Sequence, residues 1–190
     1  MINGVTGTLG VGAVQLARAM GVSYIGGLGR NTEIMSAVSA LDRRRVHIFN
    51  TLDADAEDFA DRLRRETDGG LTGLVDFQGR GASIKSTLAV IGALRKGGYA
   101  VMVGAVEENV SLAYVALLAT EISITGSVWF TTQEATEVAA MANTGSLDLS
   151  IWRSNIFPLD RINEGLSAAA SRMGGFVNNI VAPSPDLSPE

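Results

Sequence analysis

The residues best suited to chemistry lie at the start of the chain, in a glycine-rich turn that leads into an apolar, helix-forming segment. Its glycines recur as Gly4-x-x-Gly7-x-x-Gly10. This spacing lets the backbone turn sharply and approach an anion without an intervening side chain. The N–H groups at the start of the following helix then point at the anion. The pattern predicts a site for the phosphates of a dinucleotide, although such a glycine motif also occurs in ordinary tight turns.

The end of the second predicted strand is a second candidate position, which would determine whether a ribose with a 2′-hydroxyl or a 2′-phosphate is bound. In dinucleotide folds, a carboxylate at the end of the second strand binds the adenosine 2′-hydroxyl and repels a 2′-phosphate. Here the position falls at Gly29, Arg30 and Asn31, 19 residues after Gly10, and residues 22–31 contain no Asp or Glu. Arg30 can pair with a phosphate and Asn31 can donate to it. We therefore predict NADP(H) rather than NAD(H), with a solvated turn arginine as the alternative.

Two further candidate segments follow predicted strands, at Phe77-Gln78-Gly79 and Val103-Gly104-Ala105. A parallel sheet opens its ligand crevice at the carboxyl ends of its strands. Small or apolar residues there can lie along a flat ring, and backbone groups can meet a carboxamide. Ordinary strand-to-loop transitions are the alternative, and the glycine turn favours the ligand interpretation.

Residues for acid–base or metal chemistry are scarce. His47 is the only histidine and lies in a predicted strand away from the crevice, which favours a structural role. None of Tyr24, Tyr99 and Tyr114 has a lysine four positions later, no Gly-x-Ser-x-Gly motif occurs, and the sequence has no cysteine. The sequence therefore lacks the residues that a thiolate metal site or a short-chain dehydrogenase mechanism would need. We predict no catalytic residue and no zinc site in this chain.

Apolar runs typical of buried strands alternate with helix-period segments along the whole sequence. This alternation predicts an α/β fold, a doubly wound parallel sheet of about six strands with helices on both faces. The first strand is cut short, because only Met1 and Ile2 precede the glycine turn. We expect a helix over residues 11–20 and another from Ser83 that ends at Gly97 and Gly98. The other predicted strands are residues 22–27, 46–49, 74–77, 99–103, 122–130 and 176–181.

Length and composition fit one domain over residues 1–183, with residues 184–190 as a disordered tail. The 190 residues are 46% apolar and carry a formal net charge of −5. An acidic chain without clustered Lys and Arg is not expected to bind nucleic acid. The apolar runs, such as residues 112–119, fall short of the roughly 20 residues of a membrane span. A cytoplasmic location fits the absence of cysteine.

Several motifs in fixed order resemble the medium-chain dehydrogenase/reductase superfamily, which includes zinc-containing alcohol dehydrogenases and quinone reductases. The resemblance spans nearly the whole chain but only the C-terminal half of the family. The motifs are Asn3-Gly4-x-Thr6-Gly7-x-x-Gly10, Ala13-Val14-Gln15-Leu16-Ala17, Gly29-Arg30-Asn31, Leu94-Arg95-x-Gly97-Gly98, Val101-Met102-Val103-Gly104, Ile124-x-Gly126-Ser127 and Phe157-Pro158-Leu159-x-x-Ile162-Asn163-Glu164-Gly165.

The resemblance implies a Rossmann-type cofactor domain for hydride transfer between a nicotinamide and a carbonyl, alcohol or activated alkene. It implies that the zinc ligands and proton relay belong to an N-terminal catalytic domain absent from this sequence, and that residues 122–130 form a homodimer edge. The alternative is a nucleotide-binding module or remnant without activity of its own. The implied cofactor residues are Thr6, Gly7, Thr8, Leu9, Gly10, Gly29, Arg30, Asn31, Phe77, Val103, Gly104, Ala105, Ser127, Val128 and Asn178.

Overall fold

Strands and helices alternate in the computed structural model, which describes residues 1–55, 58–171 and 174–183. The strands are β1 (Ile2–Asn3), β2 (Ile25–Gly29), β3 (Val46–Asn50), β4 (Leu71–Asp76), β5 (Leu94–Met102), β6 (Ser123–Gly126), β7 (Arg153–Pro158) and β8 (Val177–Ala182). The α-helices are α1 (Thr8–Ala19), α2 (Thr32–Ala40), α3 (Phe59–Glu66), α4 (Lys85–Gly92), α5 (Tyr114–Thr120), α6 (Thr132–Asn143) and α7 (Ile162–Ala170). Short 3₁₀ helices span Thr51–Asp55 and Leu159–Arg161.

The main sheet has six parallel strands in the order β3-β2-β1-β4-β5-β6. β1 has only two residues, yet it lies at the centre, where Ile2 is opposite both Gly27 of β2 and Val75 of β4. The strand order reverses between β1 and β4, which is the position where open α/β sheets bind ligands. The predicted doubly wound sheet with a truncated first strand is confirmed.

Apolar side chains bury both faces of the sheet. One core combines Val11 and Val14 of α1 and Val38 of α2 with residues of β1 to β3, and the other combines Phe59 and Leu63 of α3 with α4 and with β2 to β5. Helices therefore cover the sheet on opposite sides, as expected for strands buried on both faces. This packing holds the strands in place relative to one another, so that the loops at their carboxyl ends lie along one edge of the sheet.

The Met1 amino group lies at the opposite, amino-terminal edge of the sheet. It donates a hydrogen bond of 2.8 Å to the carbonyl oxygen of Gly73. Burial removes this amine from water and lowers its pKa from 8.0 to about 5. The neutral amine is therefore the form that the folded chain favours.

Some element boundaries differ from the sequence predictions. α4 ends at Gly92, and Gly97 and Gly98 lie inside β5, so their assignment as a helix end was wrong. In the predicted strand over residues 122–130, only Ser123–Gly126 form β6. α1 begins at Thr8 rather than at residue 11, and β2 begins at Ile25.

The last strand does not join the main sheet. β8 pairs in parallel with β7, a strand that the sequence analysis did not predict, and the two form a separate small sheet. The expected disordered tail, residues 184–190, lies outside the described residues. In the described parts of the chain, every helix is too short or too polar to cross a bilayer.

Candidate functional site

The glycine turn, residues 4–10, connects β1 to α1 at the carboxyl edge of the sheet. Gly4 has a φ of +82°, a left-handed conformation that side chains disfavour. The N–H of Gly7 donates to the carbonyl oxygen of Gly4 at 3.0 Å. A Cβ atom on Gly10 would lie 2.3 Å from that same oxygen, so the start of α1 packs directly on the turn. Glycine is therefore required at both ends of the turn by its geometry.

Backbone donors are available at the start of α1. The first N–H groups of a helix have no partner within the helix, and Gly7, the N-cap residue, supplies no side-chain cap. Leu9 in this first turn is 65% exposed. The hydroxyl oxygen of Thr8 is buried and has no hydrogen-bond partner among the described residues. The positive end of the helix dipole adds to this arrangement, which can bind an anion.

The end of β2 lies against the glycine turn. A Cβ atom on Gly29 would lie 2.5 Å from Cγ2 of Thr6. Asn31 caps α2, because its Oδ1 accepts a hydrogen bond of 3.1 Å from the N–H of Ile34. This bond leaves the Asn31 amide NH₂ as a donor. Arg30 is exposed, and no carboxylate in the described parts of the chain forms an ion pair with it. The turn therefore offers a cation and an amide donor beside the phosphate-binding candidate.

The loops after β4 and β5 are held together by main-chain hydrogen bonds. The Asp76 carbonyl oxygen accepts from the N–H groups of Val103 and Gly104 at 2.9 and 2.8 Å. The Gln78 carbonyl oxygen accepts from the N–H of Ala105 at 2.9 Å. A Cβ atom on Gly104 would lie 2.0 Å from the Gln78 oxygen, so no side chain fits there. The two loops form one surface at the ligand edge.

Phe77 lies between these loops and the glycine turn. Its N–H donates to the carbonyl oxygen of Asn3 at 2.9 Å. A Cβ atom on Gly4 would lie 3.2 Å from the carbonyl carbon and oxygen of Phe77. The phenyl ring is partly buried against the core on the α1 side. The predicted site residues of the glycine turn, which follows β1, and those of the loops after β4 and β5 are therefore neighbours in space.

The remaining predicted site residues follow β6 or belong to the second sheet. The Ser127 N–H donates to the Met102 carbonyl oxygen at 2.9 Å, and Val128 is exposed. Asn178 lies in β8 opposite Ser154 of β7, so it belongs to the second sheet rather than to the edge of the main one. The segment leading into β8 does approach the site, because a Cβ atom on Gly174 would lie 2.7 Å from the carbonyl oxygen of Thr6.

A buried polar cluster below the β4 and β5 loops was missed by the sequence analysis. The Asn3 amide NH₂ donates to the Asp76 carboxylate at 3.2 Å and to Oε1 of Gln78 at 3.0 Å. The Ser86 hydroxyl at the start of α4 donates to the same Gln78 oxygen at 3.2 Å. The Thr87 hydroxyl oxygen lies 3.0 Å from that oxygen and is also within hydrogen-bond distance of the Asp76 carboxylate, so its one proton can go to either acceptor. The sequence offered only a weak signal, namely polar residues beside apolar ones at the end of β4 and at the start of α4.

His47 does not belong to this edge. Its ring stacks on Tyr24 with centroids 4.3 Å apart, in agreement with a structural role. Burial, followed by the nearby Glu66 carboxylate, raises the pKa of the Tyr24 hydroxyl. Within residues 1–55, 58–171 and 174–183, no group of three or more His, Cys, Asp or Glu side chains could hold a metal ion.

Comparison with known families agrees with this geometry. A family model described as zinc-binding dehydrogenase matches residues 8–144, more than half of the chain. The chain belongs to this family. Zinc-binding dehydrogenases of the alcohol dehydrogenase type are members of the medium-chain dehydrogenase/reductase superfamily, so the resemblance inferred from the motifs is confirmed. Among curated proteins, none matches the sequence.

Solved structures of several dehydrogenases share the fold. The 2R,3R-butanediol dehydrogenase from Bacillus subtilis is 17% identical with a TM-score of 0.77, and the match covers 96% of this chain and 50% of that one. The alcohol dehydrogenase from Thermus sp. ATN1 is 20% identical with a TM-score of 0.76, covering 95% and 50%. A protein named NAD-dependent alcohol dehydrogenase is 19% identical with a TM-score of 0.72, covering 96% and 50%. The chain thus spans about half the length of these structures.

The residues present fit a dinucleotide and do not fit a zinc ion. Gly10, Gly29 and Gly104 let the glycine turn, the end of β2 and the loops after β4 and β5 pack closely at the edge of the sheet. The Thr8 hydroxyl and the first amides of α1 supply donors for phosphate at that edge. Zinc requires several His, Cys or carboxylate ligands at one position, and the sequence has one histidine and no cysteine. The chain therefore corresponds to the nucleotide-binding domain of the zinc-type alcohol dehydrogenase family.

Proposed function

We propose that this chain binds NADP(H) and serves as the cofactor domain of an oxidoreductase of the alcohol dehydrogenase and quinone reductase type. The observation that carries the proposal is the uncapped start of α1, whose amides follow the glycine turn at the point where the strand order reverses. Helix N-termini of this kind bind phosphate through N–H groups and the helix dipole. The pyrophosphate would lie on Thr6, Gly7, Thr8, Leu9 and Gly10.

The preference for NADP(H) over NAD(H) rests on the end of β2. Gly29 has no side chain to repel a 2′-phosphate, and its contact with Thr6 leaves no room for a carboxylate. The exposed Arg30 guanidinium can pair with the phosphate, and the Asn31 amide can donate to it. One structural relative is named NAD-dependent, so a comparison of the two cofactors is the direct test of this part.

A bound nicotinamide supplies a hydride for transfer to or from a carbonyl, alcohol or activated alkene. The residues of this chain orient that ring. Backbone groups of Val103, Gly104 and Ala105 would face the carboxamide, Ser127 and Val128 would lie beside the ring, and Phe77 would lie on the adenine side. Asn178 is proposed to reach the cofactor from β8. The polarisation of the substrate is assigned to residues outside this domain.

Isothermal titration calorimetry of the 190-residue chain with NADPH and NADH tests the proposal. We expect NADPH to bind with a micromolar Kd and NADH more weakly. Equal affinities would contradict the role of Arg30, and no binding of either cofactor would contradict the proposed function. NADPH oxidation in the presence of an aldehyde or a quinone separates the two functions, because the alternative, a nucleotide-binding module without activity, predicts binding without turnover.

We also propose a homodimer through the free edge of β6. This strand ends the main sheet, and Trp129 in the segment that follows is 84% exposed, next to exposed Val128 and Phe130. An edge strand presents unpaired N–H and C=O groups and tends to pair with another chain. Antiparallel pairing of two β6 strands would continue the sheet across a two-fold axis. A cytoplasmic location stays a prediction.

A further inference from the structure

We propose that Asp76 is a positioning residue for the nicotinamide end of the cofactor site. The inference rests on the proposed function, because it assumes that the loops after β4 and β5 contact the cofactor. Asp76 itself lies below those loops and is only 3% exposed. Its effect on the cofactor would therefore pass through the main chain of Gln78 and of Val103 to Ala105.

Asp76 fixes the β4 loop with its side chain. Oδ1 of Asp76 accepts a hydrogen bond of 2.8 Å from the N–H of Gln78. Oδ2 accepts from the Asn3 amide at 3.2 Å and from the Thr87 hydroxyl. A buried carboxylate is favourable only when hydrogen bonds compensate for its lost hydration. The donors come from β1, from the loop after β4 and from α4, so the carboxylate connects these three segments to one another.

Main-chain hydrogen bonds connect the Asp76 cluster to the loop after β5. The Asp76 and Gln78 carbonyl oxygens accept three hydrogen bonds from residues 103–105. The Asn3 amide also donates to Oε1 of Gln78, and the Ser86 hydroxyl is a second donor to that oxygen. Loosening the Gln78 backbone would therefore release its bond to Ala105. The glycine turn has no contact of this kind with the Asp76 side chain.

This arrangement is specific to a carboxylate. In Asp76→Asn, the oxygen can still accept from Gln78, but the new NH₂ group would face the Asn3 NH₂ at about the present 3.2 Å. The hydrogen bond between residues 3 and 76 would then be lost in a buried site, and the Asn3 NH₂ would keep only its other acceptors, such as Oε1 of Gln78. Exchanging the pair, with Asn3→Asp and Asp76→Asn together, restores one donor and one acceptor at this contact. The Gln78 amide must then turn its NH₂ group toward residue 3, because a carboxylate cannot donate to Oε1. The double variant is therefore the rescue that a positioning role predicts.

Amide hydrogen exchange measured by NMR tests the inference without any ligand. In Asp76→Asn we expect the amides of Gln78, Val103, Gly104 and Ala105 to exchange at least about tenfold faster, while the amide of Val75 in the same sheet stays protected. The double variant should return these rates toward those of the unmodified chain. Unchanged rates in the β5 loop of a folded Asp76→Asn chain would overturn the inference.

Ligand binding separates positioning from general destabilisation. We expect Asp76→Asn to weaken NADPH binding about tenfold and to weaken the binding of adenosine 2′,5′-bisphosphate by a clearly smaller factor. That fragment lacks the nicotinamide half and would contact only Phe77 of these loops. An equal loss for both ligands would overturn the inference. Failure of the unmodified chain to bind either ligand would contradict the proposed function instead, and the exchange data would still decide the role of Asp76.

A milder substitution provides the test if the Asp76→Asn chain does not fold. Thr87→Val keeps the shape of a fully buried side chain and removes one donor to the carboxylate. We expect the same amides of the β4 and β5 loops to exchange faster, by a smaller factor. Exchange that rises uniformly over the whole sheet in Thr87→Val would contradict a local role.

Discussion

Gly10 lies so close to Gly4 that a Cβ atom on Gly10 would be 2.3 Å from the Gly4 carbonyl oxygen and 2.7 Å from Cα of Val5. Both neighbouring atoms belong to the main chain, so no side-chain rotation can relieve the contact. This relationship ties the start of α1 to the end of β1. The position of the first amides of α1, and with it the phosphate site, depends on it.

The first prediction concerns Gly10→Ala. We expect a loss of about 1–3 kcal/mol in the free energy of unfolding from overpacking, together with weaker NADPH binding, because α1 must shift away from the turn. Gly12→Ala is the matched control, since its Cβ would find only a side-chain carbon of Trp152 at 4.0 Å. In the control, alanine in the same helix should add about 0.5–1 kcal/mol of stability. Urea unfolding measures both, and equal effects would contradict the contact.

The second prediction concerns cofactor choice. Arg30→Ala should weaken NADPH binding about tenfold, since a hydrogen bond to a charged group contributes about 1.5–3 kcal/mol. NADH, which lacks the 2′-phosphate, should bind as before. Arg44→Ala, another exposed arginine outside the site, is the control. Calorimetric titration with both cofactors checks this, and a parallel loss for NADH would remove Arg30 from the phosphate site.

The third prediction is a pH dependence of stability. In a chain made to begin at Met1, the pKa of the amine falls from 8.0 in its ordinary state to about 5 on folding. Between these two pKa values the unfolded chain binds more protons than the folded chain. The free energy of unfolding should therefore rise as the pH increases from 5 to 8. The same contribution should be lost again as the pH falls from 8 to the folded pKa. A pKa change of this size corresponds to at most about 4 kcal/mol.

A chain with two residues added before Met1 is the control for this effect. Its amine no longer lies against Gly73, so this contribution to the pH dependence should vanish. Thermal unfolding of both chains at several pH values measures the difference. Identical pH profiles would show that the Met1 amine is not buried as described.

The fourth prediction tests the homodimer. The Ser127 N–H bonds to Met102 of β5, and N–H groups alternate in direction along a strand, so the N–H of Ile124 points to the free edge of β6. Ile124→Pro removes that outward donor and is tolerated on an edge strand. Sedimentation equilibrium should show a dimer for the unmodified chain and a monomer for the variant. A monomer in both cases would contradict the proposed interface.

The sheet was predictable because buried parallel strands and their helices leave strong apolar periodicity in the sequence. Two errors have clear physical reasons. Gly97 was assigned to a helix end, but its φ of +72° belongs to a β-bulge. Leu71 and Gly73 of β4 are opposite Leu94 and Tyr99 of β5, so β5 has extra residues between these two pairs. β7 escaped prediction because half of its side chains are exposed and polar, which leaves little apolar pattern.

The site was predictable only in part. Local motifs indicated the glycine turn and the ends of β2, β4 and β5, since each uses consecutive residues. The polar cluster joins Asn3 to Asp76 and Thr87, which are 73 and 84 residues away along the chain. Only the pairing of β1 with β4 and the packing of α4 bring them together. No local pattern could have shown that their hydrogen-bonding groups match.

A ¹H–¹⁵N NMR titration with NADPH examines the phosphate site at the start of α1 residue by residue. We expect the largest shifts of backbone amide signals at Thr8, Leu9 and Gly10, with further shifts at Arg30 and at Val103 to Ala105. Saturable shifts confined to other surfaces, or no shift in the first turn of α1 at saturating NADPH, would contradict the proposed phosphate site.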